Sequence, residues 1–216
     1  MGLSPLRPQH TRVLRGLHLI ETSITRTLAR LTAGLAGREP RRIDAAPPRM
    51  RAGVLVPLFR AGEGVELLFT RRTDTVLTHK GQISFPGGQR EPSDASLVGT
   101  ALRESYEEIG LDPTRVQVLG ELDDMFTSIS GFVVTPVVGL VTGTPSDLTL
   151  APAEVKSIFT VPVDRLAGVH TTESRDFDGK SYQIHYFRVG HDVVWGATGY
   201  IVDQFLQAWE RAASET

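Results

Sequence analysis

The sequence predicts an α/β fold in which a mixed sheet lies between helices, an α/β/α sandwich, with an additional helix on its N-terminal side. Three observations carry that expectation. Several short runs rich in Val, Leu, Ile and Phe are separated by breaks containing Gly or Pro, as strands are. One helical pattern, around residues 97–110, follows the third of these runs, and another closes the chain around residues 200–209. The 216 residues suffice for one sizeable domain plus an extension, divided into residues 1–50, a helix and linker, and residues 51–216, the domain proper.

Composition narrows the classes of function. The 25 acidic and 23 basic side chains nearly cancel, so no net field argues for nucleic acid or an anionic membrane as partner. Cysteine is absent, which removes disulfides, thiolate metal sites and cysteine nucleophiles. No apolar run approaches the roughly 18–20 residues that a spanning helix needs, and the start lacks a signal-peptide pattern. A soluble cytoplasmic protein is the expectation.

Taken in order, Val13, Leu17, Ile20, Ile24, Leu28, Leu31 and Leu35 recur at three- and four-residue steps. That spacing predicts an amphipathic helix of about six turns, ended by Gly37 and Pro40. Its apolar face suits packing on the domain or on a second copy in a homodimer. Its polar face holds too few basic residues in series for a membrane surface. Residues 38–51, with Pro40, Pro47 and Pro48, read as an extended linker without chemistry.

Residues 53–59 and 65–70 read as neighbouring strands joined by a hairpin at Gly62-Glu63-Gly64. The polar segment after them carries Arg71, Arg72, His79 and Lys80. It reads either as a solvated loop or as a phosphate-facing one, since such side chains give charge-assisted donors to phosphate oxygens. Residues 82–86 form a short strand delivered into Gly87-Gly88, a pair that permits positive φ and lets backbone approach a ligand closely.

The helix that follows is capped by Ser93 or Asp94 and ends at Gly110 in the C′ position. Leu97, Val98, Ala101, Leu102, Ser105 and Ile109 make a face for burial, with Arg103, Glu104, Glu107 and Glu108 away from it. Glu104, Glu107 and Glu108 fall within about a 100° arc, because i,i+3 and i,i+4 positions are neighbours. Like charges there repel one another near the helix C-terminus, where the macrodipole already disfavours anions. A divalent cation that prefers oxygen ligands would offset both effects.

These residues also carry a resemblance. Arg103-Glu104-Ser105-Tyr106-Glu107-Glu108-Ile109-Gly110-Leu111, preceded by Gly88, resembles the signature box of the Nudix hydrolases, which act on a nucleoside diphosphate linked to another group. Gly88 lies fifteen residues before Arg103 where the general pattern has fourteen, and the expected acidic position is Ala95, with Asp94 one place earlier. The role of Asp94 is left open. That lengthened box, with the lead-in His79-Lys80-Gly81-Gln82 to Phe85-Pro86-Gly87-Gly88, is similar to the coenzyme A pyrophosphatase branch of the family, although Leu77 stands where the branch commonly has arginine.

In the second half, residues 116–122 and 132–141 read as strands, with a pocket-edging loop between them. Asp123-Asp124 in that loop reads as a turn or solvated pair. Glu154 lies in a segment that in Nudix proteins often supplies a glutamate assisting water activation; a surface ion pair with Lys156 or Arg165 is the plainer reading. Residues 182–189 alternate as a strand, and Trp195-Gly196-Ala197-Thr198 resembles the element that starts the last Nudix helix. His185 and His191 read as structural or exposed residues rather than ligands.

The resemblance implies a Nudix-type fold and a Mg²⁺- or Mn²⁺-dependent diphosphate hydrolase. Glu104 and Glu108, one turn apart, would be the principal ligands, with the Gly88 carbonyl within reach. Glu107 would bind a further ion or act as base, and Arg103 would orient the glutamates, with Glu154 as a secondary catalytic candidate. Arg71, Arg72, His79, Lys80 and Arg90 are the expected phosphate contacts. The implied substrate is coenzyme A or a derivative. The rivals are another nucleoside diphosphate derivative (ADP-ribose, NADH or a dinucleoside polyphosphate), or a non-catalytic nucleotide-binding module on the same fold.

Overall fold

The computed structural model describes residues 23–45, 49–73, 82–127, 130–177 and 179–214. Residues 23–36 form helix α1. The predicted turns before residue 23 lie outside the described residues, as do His79 and Lys80.

Strands β1 (Met50–Ala61) and β7 (Phe132–Val141) run parallel through the middle of the main sheet, paired from Met50↔Phe132 to Phe59↔Val141. Both are apolar almost throughout because both of their faces are covered. On the outer edge of β7 lie β5 (Val116–Glu121) and β6 (Met125–Thr127), both antiparallel. On the other edge of β1, strand β2 (Gly64–Arg72) folds back through the expected hairpin, with Gly62 at φ 53° in the turn. β1 and β2 pair only from Leu58↔Leu67 to Ala61↔Gly64 and then splay apart.

Into that fork run β3 (Ile83–Ser84) and β4 (Gly87–Gln89). β3 pairs with Thr70 and Arg71 of β2, and β4 pairs with residues 52–54 of β1. Phe85 stacks on Phe69 of β2 at 4.9 Å, and Phe69 stacks on Phe159 of β8 (Val155–Pro162) at 5.5 Å. These contacts, worth about 0.5–1.5 kcal/mol each beyond area burial, fix the place at which Gly87 and Gly88 enter the sheet. β8 pairs antiparallel with β2, so among the described residues the main sheet is mixed and eight-stranded.

Two cores lie on its two faces. One packs Leu55, Phe59, Leu68, Val137 and Val141 against Ala101 and Ile109 of helix α2 (Leu97–Ile109). The other packs Val56, Leu58, Leu67, Phe69 and Val138 with Leu28, Leu31 and Leu35 of α1 and with Ile201, Val202, Phe205 and Trp209 of α4 (Gly196–Ser214). This is the expected α/β/α sandwich. The described part of α1 spends its apolar face on the protein's own core. Between β8 and α4 come the short helix α3 (Val163–Gly168) and a separate three-stranded sheet of β9 (His170–Phe177), β10 (Lys180–Val189) and β11 (Asp192–Val194). Among the described residues no helix is long and apolar enough to cross a membrane.

Three expectations are corrected by the packing. Met50 and Arg51 belong to β1 rather than to the linker. Helix α2 is capped by Ser96, whose side chain accepts from Gly99 N, and not by Ser93 or Asp94. Asp123 and Asp124 are not a solvated pair. Asp124 is fully buried and accepts from Arg42 Nη1 at 3.0 Å, Ile43 N at 3.1 Å and Thr135 Oγ1 at 2.7 Å. Asp123 pairs with Arg38 and accepts from Arg41 N at 3.0 Å. The two aspartates thus pin the linker to the sheet edge.

Candidate active site

Helix α2 crosses β1 and β4 because glycine lets it close in. A Cβ on Gly53 would come 2.4 Å from the Leu97 carbonyl, and one on Gly87 would come 2.5 Å from the Gly53 carbonyl. At Gly88 a Cβ would lie 2.5–2.6 Å from the Glu104 carboxylate. The paired glycines therefore bring strand backbone against helix carboxylates. The far end of α2 is finished by Gly110 at φ 65°, whose N–H donates to Tyr106 O. Beyond it, the carbonyls of Glu108 and Ile109 accept from Ala151 N and Thr149 N. That staple, with Thr73 N donating to Glu154 O at 3.0 Å, holds the turn bearing Glu154 beside the helix.

Arg103 is the hub of the site. Its Nε and Nη2 grip both oxygens of Asp94 at 3.0 and 3.1 Å, Nη1 donates to Glu107 at 2.9 Å, and Nη2 reaches Glu104 and the Gln89 carbonyl, each at 3.0 Å. Asp94 also accepts from Thr100 Oγ1 and Glu91 N, both at 2.9 Å. The guanidinium holds the Asp94 carboxyl well below the usual carboxylate range, and Asp94 in return raises Arg103. Asp94, whose part the sequence left open, is thus the fixed post on which Arg103 turns toward the glutamates.

The three glutamates differ. Glu107 is largely exposed, held by Arg103 one turn away. Glu104 is partly buried, and burial raises its pKa against the pull of Arg103. Glu108, read from the sequence as lying off the buried face, is only 4% exposed, because the β1–β2 fork closes over it. Its carboxylate accepts from Gly87 N at 3.1 Å and lies 3.6 Å from Arg72 Nη1. Burial is the main reason its pKa is pushed up to about 7; Gly87 and Arg72 oppose the shift, while the negative charges of Glu104 and Glu154 add to it. Glu154 is exposed but close enough to Glu104 and Glu108 to raise both.

Among the described residues, Arg103 pairs with Asp94, Glu104 and Glu107, and Arg72 with Glu108, while Glu154 adds its negative charge nearby. Among the described residues the oxygen donors outnumber their cationic partners, and one carboxyl is pushed toward neutrality chiefly by burial; such a donor set fits a hard divalent cation. Residues Glu104 and Glu108, with Glu107, Glu154 and the Gly88 backbone nearby, are the ones that would hold it.

The basic residues separate. Along β2, Leu68 and Arg72 face α2, whereas Phe69 and Arg71 face the other core, as strand alternation requires. Arg71 accordingly leaves the glutamates, donating to Asp192 at 2.6 Å with its guanidinium over Phe159. Arg72 stays, and its Nε is buried with no hydrogen-bond partner among the described residues. Arg90 is exposed on the loop before α2 and donates to the Asp94 carbonyl at 3.2 Å. Arg72 as partner of Glu108, and Asp94 with Thr100 as anchors of Arg103, were missed as such in the sequence. A carboxylate nine residues before Arg103, in the loop that leads to the helix, was the available sign for Asp94.

A family model described as NUDIX domain matches residues 49–183. Among curated proteins, the chain is 38% identical over 160 residues to one named "Uncharacterized Nudix hydrolase NudL" from Photorhabdus laumondii, covering 72% of this chain and 83% of that protein. A protein of the same name from Yersinia pestis strain Pestoides F is 36% identical over 161 residues, covering 73% and 78%. Among solved structures, a MutT/nudix family protein from Enterococcus faecalis superposes with a TM-score of 0.55 at 17% identity, covering 84% of this chain and 69% of that one. The MutT protein from Methanosarcina mazei Go1 superposes with a TM-score of 0.50 at 18% identity, covering 82% and 99%. Structural likeness at such identity speaks for fold, whereas the family model and the sequence relatives speak for descent. The chain belongs to the Nudix hydrolase family.

Proposed function

We propose that this Nudix hydrolase cleaves the diphosphate of coenzyme A or a derivative, with Mg²⁺ or Mn²⁺, giving 3′,5′-ADP and 4′-phosphopantetheine. The observation that carries the reading is the buried Glu108, crowded by Glu104 and Glu154 and held by the backbone N–H of Gly87. A bound cation would neutralise diphosphate oxygens and lower the pKa of an attacking water. Glu104 and Glu108 would hold it. Glu107 and Glu154, both exposed at the rim, are the carboxylates available to take the water proton. Arg103 keeps Glu104 and Glu107 in place rather than touching substrate.

The lengthened glycine loop and its His79-Lys80-Gly81-Gln82 lead-in support coenzyme A over other nucleotides. Arg72, Arg90, His79 and Lys80 are the proposed phosphate contacts; Arg71, engaged by Asp192, would reach the substrate only by leaving that partner. Initial rates on coenzyme A, ADP-ribose and NADH, with product identification, test the substrate. Coenzyme A is expected to be cleaved fastest. Equal or faster cleavage of the other two would overturn the branch assignment, and no cleavage of any would favour a binding module.

A further inference from the structure

We propose that His170, His185 and Asp203 form a second metal site, for a transition-metal ion of the Zn²⁺ class, which clips the small sheet to α4. Sequence reading gave His185 no ligand role, because its partners lie on two other elements. The β9–β10 register pairs Phe187 with His170 and His185 with Thr172. Both imidazoles therefore stand on one face of that sheet as diagonal neighbours. Asp203 comes from α4, one turn beyond Gly199. A Cβ on Gly199 would lie 2.4 Å from the His185 carbonyl, so glycine is what lets the helix close over the pair.

The separations match a metal-binding face. His170 Nε2 lies 3.0 Å from His185 Nδ1. Asp203 Oδ1 lies 3.3 Å from His185 Nδ1 and 3.9 Å from His170 Nε2. Ligands about 2.0–2.1 Å from a tetrahedral ion sit about 3.3–3.4 Å from one another, and the three observed distances bracket that value. All three side chains are half-buried. The His170 ring is held by stacking on Phe187 at 4.6 Å, and the His185 ring by an edge contact with Tyr200 at 6.1 Å. Gln207 Nε2 donates to the other Asp203 oxygen, Oδ2, at 2.8 Å, an outer contact of the kind that orients ligating carboxylates. Two imidazoles and one carboxylate suit Zn²⁺ rather than Mg²⁺, and leave a fourth position for water. The site is on the α4 side of the main sheet and independent of the glutamate cluster on the α2 side.

An N–H···N hydrogen bond between the two imidazoles, with no metal, accounts for the 3.0 Å contact equally, so the test must separate the two. The full chain, stripped with chelator, is titrated with Zn²⁺ under excess Mg²⁺, following heat and bound metal. One Zn²⁺ per chain is expected, retained in Glu104→Gln/Glu108→Gln and weakened at least about 10-fold in His170→Gln/His185→Gln. The near-isosteric Asp203→Asn gives the same reading with the packing intact. Zn²⁺ at about 100 times its Kd should raise Tm by roughly 5–10 °C in the wild type and not in the double histidine variant. Absence of stoichiometric Zn²⁺ binding overturns the proposal, as does equal binding by His170→Gln/His185→Gln and Asp203→Asn.

Discussion

Arg103 spends its donors on Asp94, Glu104, Glu107 and the Gln89 carbonyl. The role proposed for it is positional, with Asp94 as its anchor. Asp94→Asn removes the charge of a buried pair and leaves Arg103 short of its strongest partner. A loss of about 2–4 kcal/mol is expected by chemical denaturation, together with a fall in kcat larger than any change in KM. Gly88→Ala should act differently: the added methyl meets the Glu104 carboxylate, so turnover should drop at least about 10-fold while the far-UV spectrum stays that of the wild type. Glu108 adds a pH signature. Its folded-state pKa, pushed up to about 7, exceeds its ordinary 4.5, so between those values the folded chain holds more protons than the unfolded one. Stability therefore falls as pH rises through that window. In chelator, the wild type should lose up to about 3 kcal/mol relative to Glu108→Gln between pH 4.5 and 7; denaturation of both proteins at several pH values checks it. At this scale the three glutamates were legible, because helix periodicity alone groups them. The burial of Glu108 and the Asp94–Arg103 grip were not, since each depends on a strand or loop that folds in from elsewhere.

Among the elements, the central strands were easiest to read, since strands covered on both faces are apolar runs; β7 matches its predicted bounds, residues 132–141. By contrast, β9 was not read as a strand. His170-Thr171-Thr172-Glu173-Ser174-Arg175-Asp176 has exposed side chains from Thr171 to Asp176 and no apolar alternation. Its strand character comes from pairing with β10. The linker was legible as extended chain but not as anchored chain. Buried Asp124 takes hydrogen bonds from Arg42, Ile43 and Thr135, and this pins residues 42–43 against the sheet edge. Asp124→Ala leaves those donors unpaired and should cost about 3 kcal/mol. Limited proteolysis should then cut within residues 37–45 at protease levels that spare the wild type. Unchanged proteolysis would mean that the linker is held by other contacts.

For the molecule as a whole, the sheet divides labour between its faces. One face carries α2 and the carboxylate cluster, built where β1 and β2 part and the glycine strand β4 enters. The other is closed by α1 and α4 and supplies the larger core. The like-charge cluster costs stability on its own, and among the described residues Arg103 and Arg72 offset part of that cost. The divalent cation proposed above would offset more of it. The most direct measurement is coenzyme A turnover with Mg²⁺ or Mn²⁺ and with EDTA, for the wild type, Glu104→Gln and Glu108→Gln side by side. The account predicts hydrolysis to 3′,5′-ADP and 4′-phosphopantetheine by the wild type with metal, none in EDTA, and rates lower by about 10²–10⁴ in both variants. Undiminished hydrolysis in EDTA, or full activity of both variants, would contradict it.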